Sequence, residues 1–261
     1  MENTVIDKLF AWLRDRRQPA CLPQALWQEA LASLPFLAAL SEHEQVRLRA
    51  LTEAFLAEKK FSAAGGLELT DAIGVSIAVQ GCLPILNLGL DYYGGWLGIV
   101  VYPDEFVIPR SVEDEFGVVH EYQERASGEA WHGGPLLISW RDAQMAGDGY
   151  NVVIHEFAHK LDMLNGGADG MPPLPPEIAR ADWQRILGAS HDDFCTRVDE
   201  VHPDGLDDLP FDPYGAENTG EFFAVMSEAF FETPEILRAE YPDLYRNLAT
   251  FYRQDPAARL R

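Results

Sequence analysis

Apolar residues return every three to four positions through "SEHEQVRLRALTEAFLAEKKF", residues 41–61, and that period predicts a helix. Ser41 opens it, with Glu44 three residues on, the pattern of a capping box. The run "TDAIGVSIAVQGCLPIL" predicts a second helix, capped by Thr70 and closed near Pro84. The texture then changes. "GGWLGIVVYPDEFVIP", "FGVVHEYQERA" and "GGPLLISW" are β-branched or aromatic runs bounded by glycine and proline, and they read as strands. A helix is expected from near Tyr150 to Asn165-Gly166-Gly167, followed by a loop, "GGADGMPPLPPE". Helices are expected near 180–200, over "TGEFFAVMSEAFFE" and through "PEILRAEYPDLYRNLATFYRQDP", with the acidic loop "HPDGLDDLPFDPYGAEN" between the first two. Helices before and after a small group of strands indicate an α+β fold.

Charge narrows the partners. Forty-two acidic residues against 20 basic ones give a formal charge of −22 over 261 residues. Such a surface repels phosphate backbones and anionic membranes, so neither direct nucleic-acid binding nor membrane association is expected. A basic partner protein or cationic peptide would be attracted. The three cysteines, Cys21, Cys82 and Cys195, lie far apart without a Cys-x-x-Cys, which fits a reducing compartment. The N-terminal segment lacks a continuous apolar core of the signal-peptide kind, and no apolar run reaches bilayer length. The expected location is the cytoplasm.

One apolar segment carries chemistry. "VVIHEFAHKLD", residues 152–162, sets His155, Glu156 and His159 in what otherwise reads as a core helix. Residues four apart on a helix share a face, so both imidazoles can hold one metal ion, with Glu156 beside it to take a proton from water. This is the H-E-x-x-H arrangement, and zinc is the expected cofactor, one ion per chain. Burying three ionisable groups there without a metal would be costly. Zinc needs further ligands. The pattern H-E-x-x-H-x-x-G-x-x-H fails, because Asp162 and Asn165 occupy its glycine and third-histidine positions. A later helix offers Glu221, Glu228 and Glu232 instead. Glu221 and Glu228 share a face but stand about 10 Å apart along the axis, so they cannot both bind one ion. Asp162, also on the histidine face, can either accept a hydrogen bond from an imidazole or serve as a cap.

"HEFAHKLD", "DPYGAENTGEFFAVMSEAFFE" and the terminal "FYRQDP" together resemble the Mlc titration factor A family of bacterial zinc peptidases. "CLPILNLGLDYYGGWLGIVVYP" and "GVVHEYQERASGEAWHGGPLLISW" fit it as well, so the resemblance runs from about residue 20 onward. The resemblance implies Glu221 as third ligand and a zincin-type (gluzincin) metallopeptidase domain over 66–261, with residues 1–65 a helical segment packed on it. That family is in turn similar to the protease domain of anthrax lethal factor, which has a tyrosine seven residues before the ligand glutamate. Tyr214 stands there, and could donate to a developing oxyanion. His120, in "GVVHEYQ", matches a histidine the family associates with the metal. A fourth protein ligand would close the site and imply a resting state. The implied activity is aminopeptidase-like hydrolysis of small peptides. The implied alternative is a regulatory binding protein that titrates a glucose-regulated repressor of sugar-uptake genes. The strand "GGPLLISW" is a candidate to pair with an extended substrate along its edge.

Overall fold

Two capped helices frame the first half of the chain. The computed structural model describes residues 21–113 and 119–260. Helix α1 (Gln24–Ser33) leads into α2 (Glu42–Glu58), where the Ser41 hydroxyl accepts from Glu44 N and the Glu44 carboxylate reaches back to Ser41 N, the expected capping box. Strand β1 (Lys60–Ala63) follows, then α3 (Asp71–Cys82), whose cap is Thr70 as expected. Helix α3 is buried along nearly its whole length, which explains why its apolar residues run all the way round it.

The expected single strand at 94–109 is two strands, β2 (Gly98–Tyr102) and β3 (Phe106–Glu113), broken at Pro103 and Asp104. Strand β4 (Val119–Ala126) pairs antiparallel with β3, and after Ser127 the chain enters β5 (Gly128–Ala130) in a different sheet. Strand β6 (Leu136–Ser139) completes that sheet, in the order β1-β2-β6-β5. The first three strands run parallel and β5 is antiparallel to β6. Strand β6 is therefore internal, paired on both sides, and cannot add a substrate strand. The edges of the sheet are β1 and β5. Phe106 and Ile108 of the β3–β4 pair pack against Leu137 on one face of the sheet.

Beyond the short α4 (Trp140–Ala143) comes α5 (Val152–Asp162), then a 3-10 turn to Asn165 and a break at Gly166. Helix α6 (Arg180–Glu200) and α7 (Thr219–Glu232) follow, and α8 (Pro234–Glu240), α9 (Pro242–Tyr252) and α10 (Pro256–Arg259) close the chain. The result is a mixed helical, small-sheet α+β architecture. Among the described residues no helix is long and apolar enough to cross a membrane.

Helix α5 is buried at every position and sits at the centre of the core. Its Phe157 ring lies 5.6 Å from Phe55, 5.0 Å from Tyr93 and 5.9 Å from Trp96, so α5 is anchored by an aromatic cluster drawn from other segments. Gly81 of α3 lets the Phe157 ring approach its backbone, because a Cβ there would overlap the ring. Overpacking of this kind costs about 1–3 kcal/mol. Gly81→Ala is accordingly expected to lower the unfolding free energy by about 1–3 kcal/mol, read as a lower urea midpoint, and an unchanged midpoint would contradict the close contact.

Candidate functional site

The site begins at the cap of α5. Asn151 Oδ1 accepts from Ile154 N at 2.9 Å, and one turn later His155 and His159 project from the same face. Across from them, Asn218 caps α7 by accepting from the amides of Gly220 and Glu221, which places the Glu221 side chain in the first turn. The loop between the two helices ties them together. Gly170 N donates to Asp162 Oδ2 at 2.7 Å, and Thr219 Oγ1 donates to Asp169 O at 3.0 Å.

His155 Nε2, His159 Nε2 and Glu221 Oε2 form a triangle with sides of 3.1, 3.0 and 3.1 Å. They are the residues that spacing and resemblance brought forward, and among the described residues they are the group able to hold a metal ion. The donor chemistry fits a cation. His155 Nδ1 donates to Glu228 Oε1 at 2.8 Å, which leaves Nε2 of the neutral ring as an acceptor aimed at a second acceptor, Glu221 Oε2, with His159 Nε2 beside both. Two acceptors facing each other at 3.0 Å need a proton or a cation between them. Burial works against a charged His155, but its hydrogen bonds to the Glu221 and Glu228 carboxylates prevail and raise its pKa well above the ordinary imidazole value. Burial alone would also raise Glu221, yet the hydrogen bonds from His155 and His159 hold its carboxyl well below the usual range. A proton on His155 is thus one source of the required charge, and two imidazoles with a carboxylate are equally the donor set that suits a zinc ion.

Glu156 lies beside this triangle and is buried, and burial pushes its carboxyl up to about 7. Its Oε2 has no protein hydrogen-bond partner, and the residue lines a cleft of about 400 Å³ together with residues 124–130, Tyr150, Tyr214 and the triangle itself. Edge strand β5 runs directly over Glu156. Any side chain on Gly128 would overlap the Glu156 carboxyl, so only glycine permits the approach. Tyr214 sits in a 3-10 turn, Pro213–Ala216, capped by Asp212, with its ring 6.1 Å from that of His155. Burial, with Glu221, Glu124 and Glu156 nearby, raises its phenol, which keeps it a proton donor.

Two expectations change here. Asp162 does not meet an imidazole among its hydrogen bonds; the loop at Gly170 claims it. The carboxylate on the far nitrogen of an imidazole, His155 Nδ1, is Glu228, which the sequence offered only as a rival ligand. Its Oε2 also accepts from Asn151 N. The seven-residue step from Glu221 to Glu228 was visible as a shared helix face, but not the crossing of α7 over α5 that brings both ends of that face to His155. His120 pairs in backbone register with Val112, and its side chain lies outside the described residues.

Asp162 is fully buried, and burial raises its carboxyl to about 7. A carboxylate pKa raised on folding stabilises the fold below its unfolded value, near 4, and that contribution is lost as pH rises through the folded value. The urea midpoint is therefore expected to fall between about pH 4 and pH 7 and to level off above that. Asp162→Asn, which mimics the protonated acid and still accepts from Gly170 N, should flatten the fall. An equal fall in both proteins would contradict this assignment.

Residues 9–253 match the model of the glucose-regulated metallo-peptidase M90 family. The chain is 38% identical over 256 residues to Mlc titration factor A of Yersinia pestis, covering 97% of this chain and 93% of that one. The same identity and coverage hold for Mlc titration factor A of Yersinia pseudotuberculosis. This chain belongs to the M90 metallo-peptidase family, together with the Mlc titration factors A.

Proposed function

We propose that this protein is a zinc-dependent peptidase of the gluzincin type, with a zincin-type domain over 66–261 preceded by a segment whose described part supplies α1, α2 and strand β1 of the sheet, residues 1–20 lying outside the described residues. The observation that carries the reading is the acceptor triangle of His155, His159 and Glu221 set beside a buried carboxylate with a free oxygen. Those three residues would hold the ion. Zinc when bound supplies a Lewis acid and lowers the pKa of water toward about 7.

The remaining work falls to side chains and backbone. Glu156 takes the proton of the attacking water on its carboxylate and returns it to the leaving amine. A group that is charged or neutral according to its surroundings near neutral pH suits both halves of that task. Tyr214 donates its phenolic hydrogen to the oxyanion that develops on the scissile carbonyl. Strand β5 presents its outer edge to the cleft beside Glu156, where an extended peptide can add as a further strand. Aminopeptidase-like specificity for small peptides is part of the same proposal.

A second role has one specific observation behind it, the name of the relatives. By analogy with those titration factors, we propose that this chain also binds an Mlc-like repressor, which its charge of −22 would favour for a basic, DNA-binding partner. Free Cys21, Cys82 and Cys195 are compatible with a cytoplasmic location for both roles.

Glu156→Gln separates the roles. It is expected to keep one zinc per chain by metal analysis, lose peptide hydrolysis by at least about 100-fold, and retain repressor binding. Undiminished hydrolysis would remove Glu156 from the chemistry. Loss of zinc together with hydrolysis would make it part of the metal site instead.

A further inference from the structure

Helix α7 carries more than one carboxylate toward α5. Glu221, Glu228 and Glu232 are separated by seven and four residues, which at about 100° per residue confines them to a stripe roughly 40° wide. The stripe runs along the start of α5, and each member makes a different bond. Glu221 Oε2 meets both histidine Nε2 atoms. Glu228 bridges His155 Nδ1 and Asn151 N. Glu232 Oε1 accepts from Asn151 Nδ2 at 2.7 Å, and its Oε2 accepts from the amides of Gly147 and Gly149, both at 2.9 Å.

Asn151 is the hub. It is 1% exposed, and each of its polar groups named here is engaged: Oδ1 with Ile154 N, N with Glu228, Nδ2 with Glu232. An amide has one acceptor and one donor end, so the bond to Glu232 fixes which end faces the helix. With Asn151 pinned, Glu228 is held at one oxygen by Asn151 N, and its other oxygen is left for His155 Nδ1. The two carboxyl groups at the first turn of α5 also lie where the helix dipole favours negative charge.

We infer that Glu232 is a positioning residue for the metal site, acting through Asn151 and Glu228 on the ring of His155, although it touches none of the three proposed ligands. The inference rests on the proposed metal reading of the triangle. It gives α7 two tasks, supplying one ligand at its first turn and, from its last turns, aligning the helix that supplies the other two.

A polarity swap tests it. Asn151→Asp keeps a good helix cap but faces Glu232 with an oxygen in place of an N–H donor. Glu232→Gln can accept from Asn151 or from the two glycine amides with its one oxygen, but its NH2 then faces a donor. In the double variant, the introduced amide at position 232 can donate to the introduced carboxylate at position 151, while its oxygen accepts from Gly147 and Gly149. Zinc affinity of the full chain is read by competition with a chromophoric chelator, at a temperature where circular dichroism shows all four proteins folded. Each single variant is expected to bind zinc about 10-fold or more weakly, and the double variant within about threefold of the parent; outer-shell partners of metal ligands commonly carry 10–100-fold. Single variants that bind like the parent, or a double variant no better than the singles, would overturn the inference while leaving the zinc site in place. A parent that binds no zinc would overturn the metal reading and this inference with it.

Discussion

The hydrogen bond from His155 Nδ1 to Glu228 joins the two helices on which the site is built. It orients one imidazole, commits its Nε2 to the cleft, and ties the start of α5 to the middle of α7. Both residues are buried, so neither partner can be satisfied by water if the other leaves. The helices must therefore cross where this bond requires, and that crossing is what carries Glu221 to the two histidines. Phe157 supplies the opposing constraint. Its ring is wedged among Phe55, Tyr93 and Trp96, so α5 is gripped by apolar packing on one face and by carboxylates on the other.

That division explains why so polar a helix can be buried. The apolar face settles the position of α5, while on its polar face His155, Glu156 and His159 look toward a cleft. Lys160, also buried, donates to the carbonyls of Trp131 and Gly134, in the turn between β5 and β6. The same helix therefore holds the edge strand at its hairpin end, and at Gly128 the strand lies on Glu156. The proposed substrate edge, the proposed base and the two proposed histidine ligands are referred to one buried helix, which suits the pre-organisation that the proposed hydrolysis needs.

The sequence disclosed what depends on neighbours along the chain. Ser41 with Glu44, Thr70, and the glycine break after Asn165 are local signals, and each marks its helix boundary. The pairing of His155 with His159 is local too, because four residues on a helix fix it. Strands β1 and β5 escaped notice because "KFSA" and "GEA" are too short and too polar to show alternation; they are strands because β2 and β6 lie beside them. The same limit misplaced the free edge on β6. Glu228 and Glu232 were legible as members of a face and not as partners of His155 and Asn151, since those contacts arise 73 and 81 residues away in the chain. Asp162 pointed the right way but was taken by a loop whose path no periodicity describes.

The central claim is that α5 and α7 meet around a single metal ion held by His155, His159 and Glu221, with Glu228 behind the first of them. Anomalous diffraction from zinc-loaded crystals, recorded on both sides of the zinc absorption edge, tests it most directly. The account predicts one anomalous peak per chain, within bonding distance of both Nε2 atoms and a Glu221 oxygen, while His155 Nδ1 still donates to Glu228. A peak bonded to Glu228, or one away from the two histidines, would contradict it.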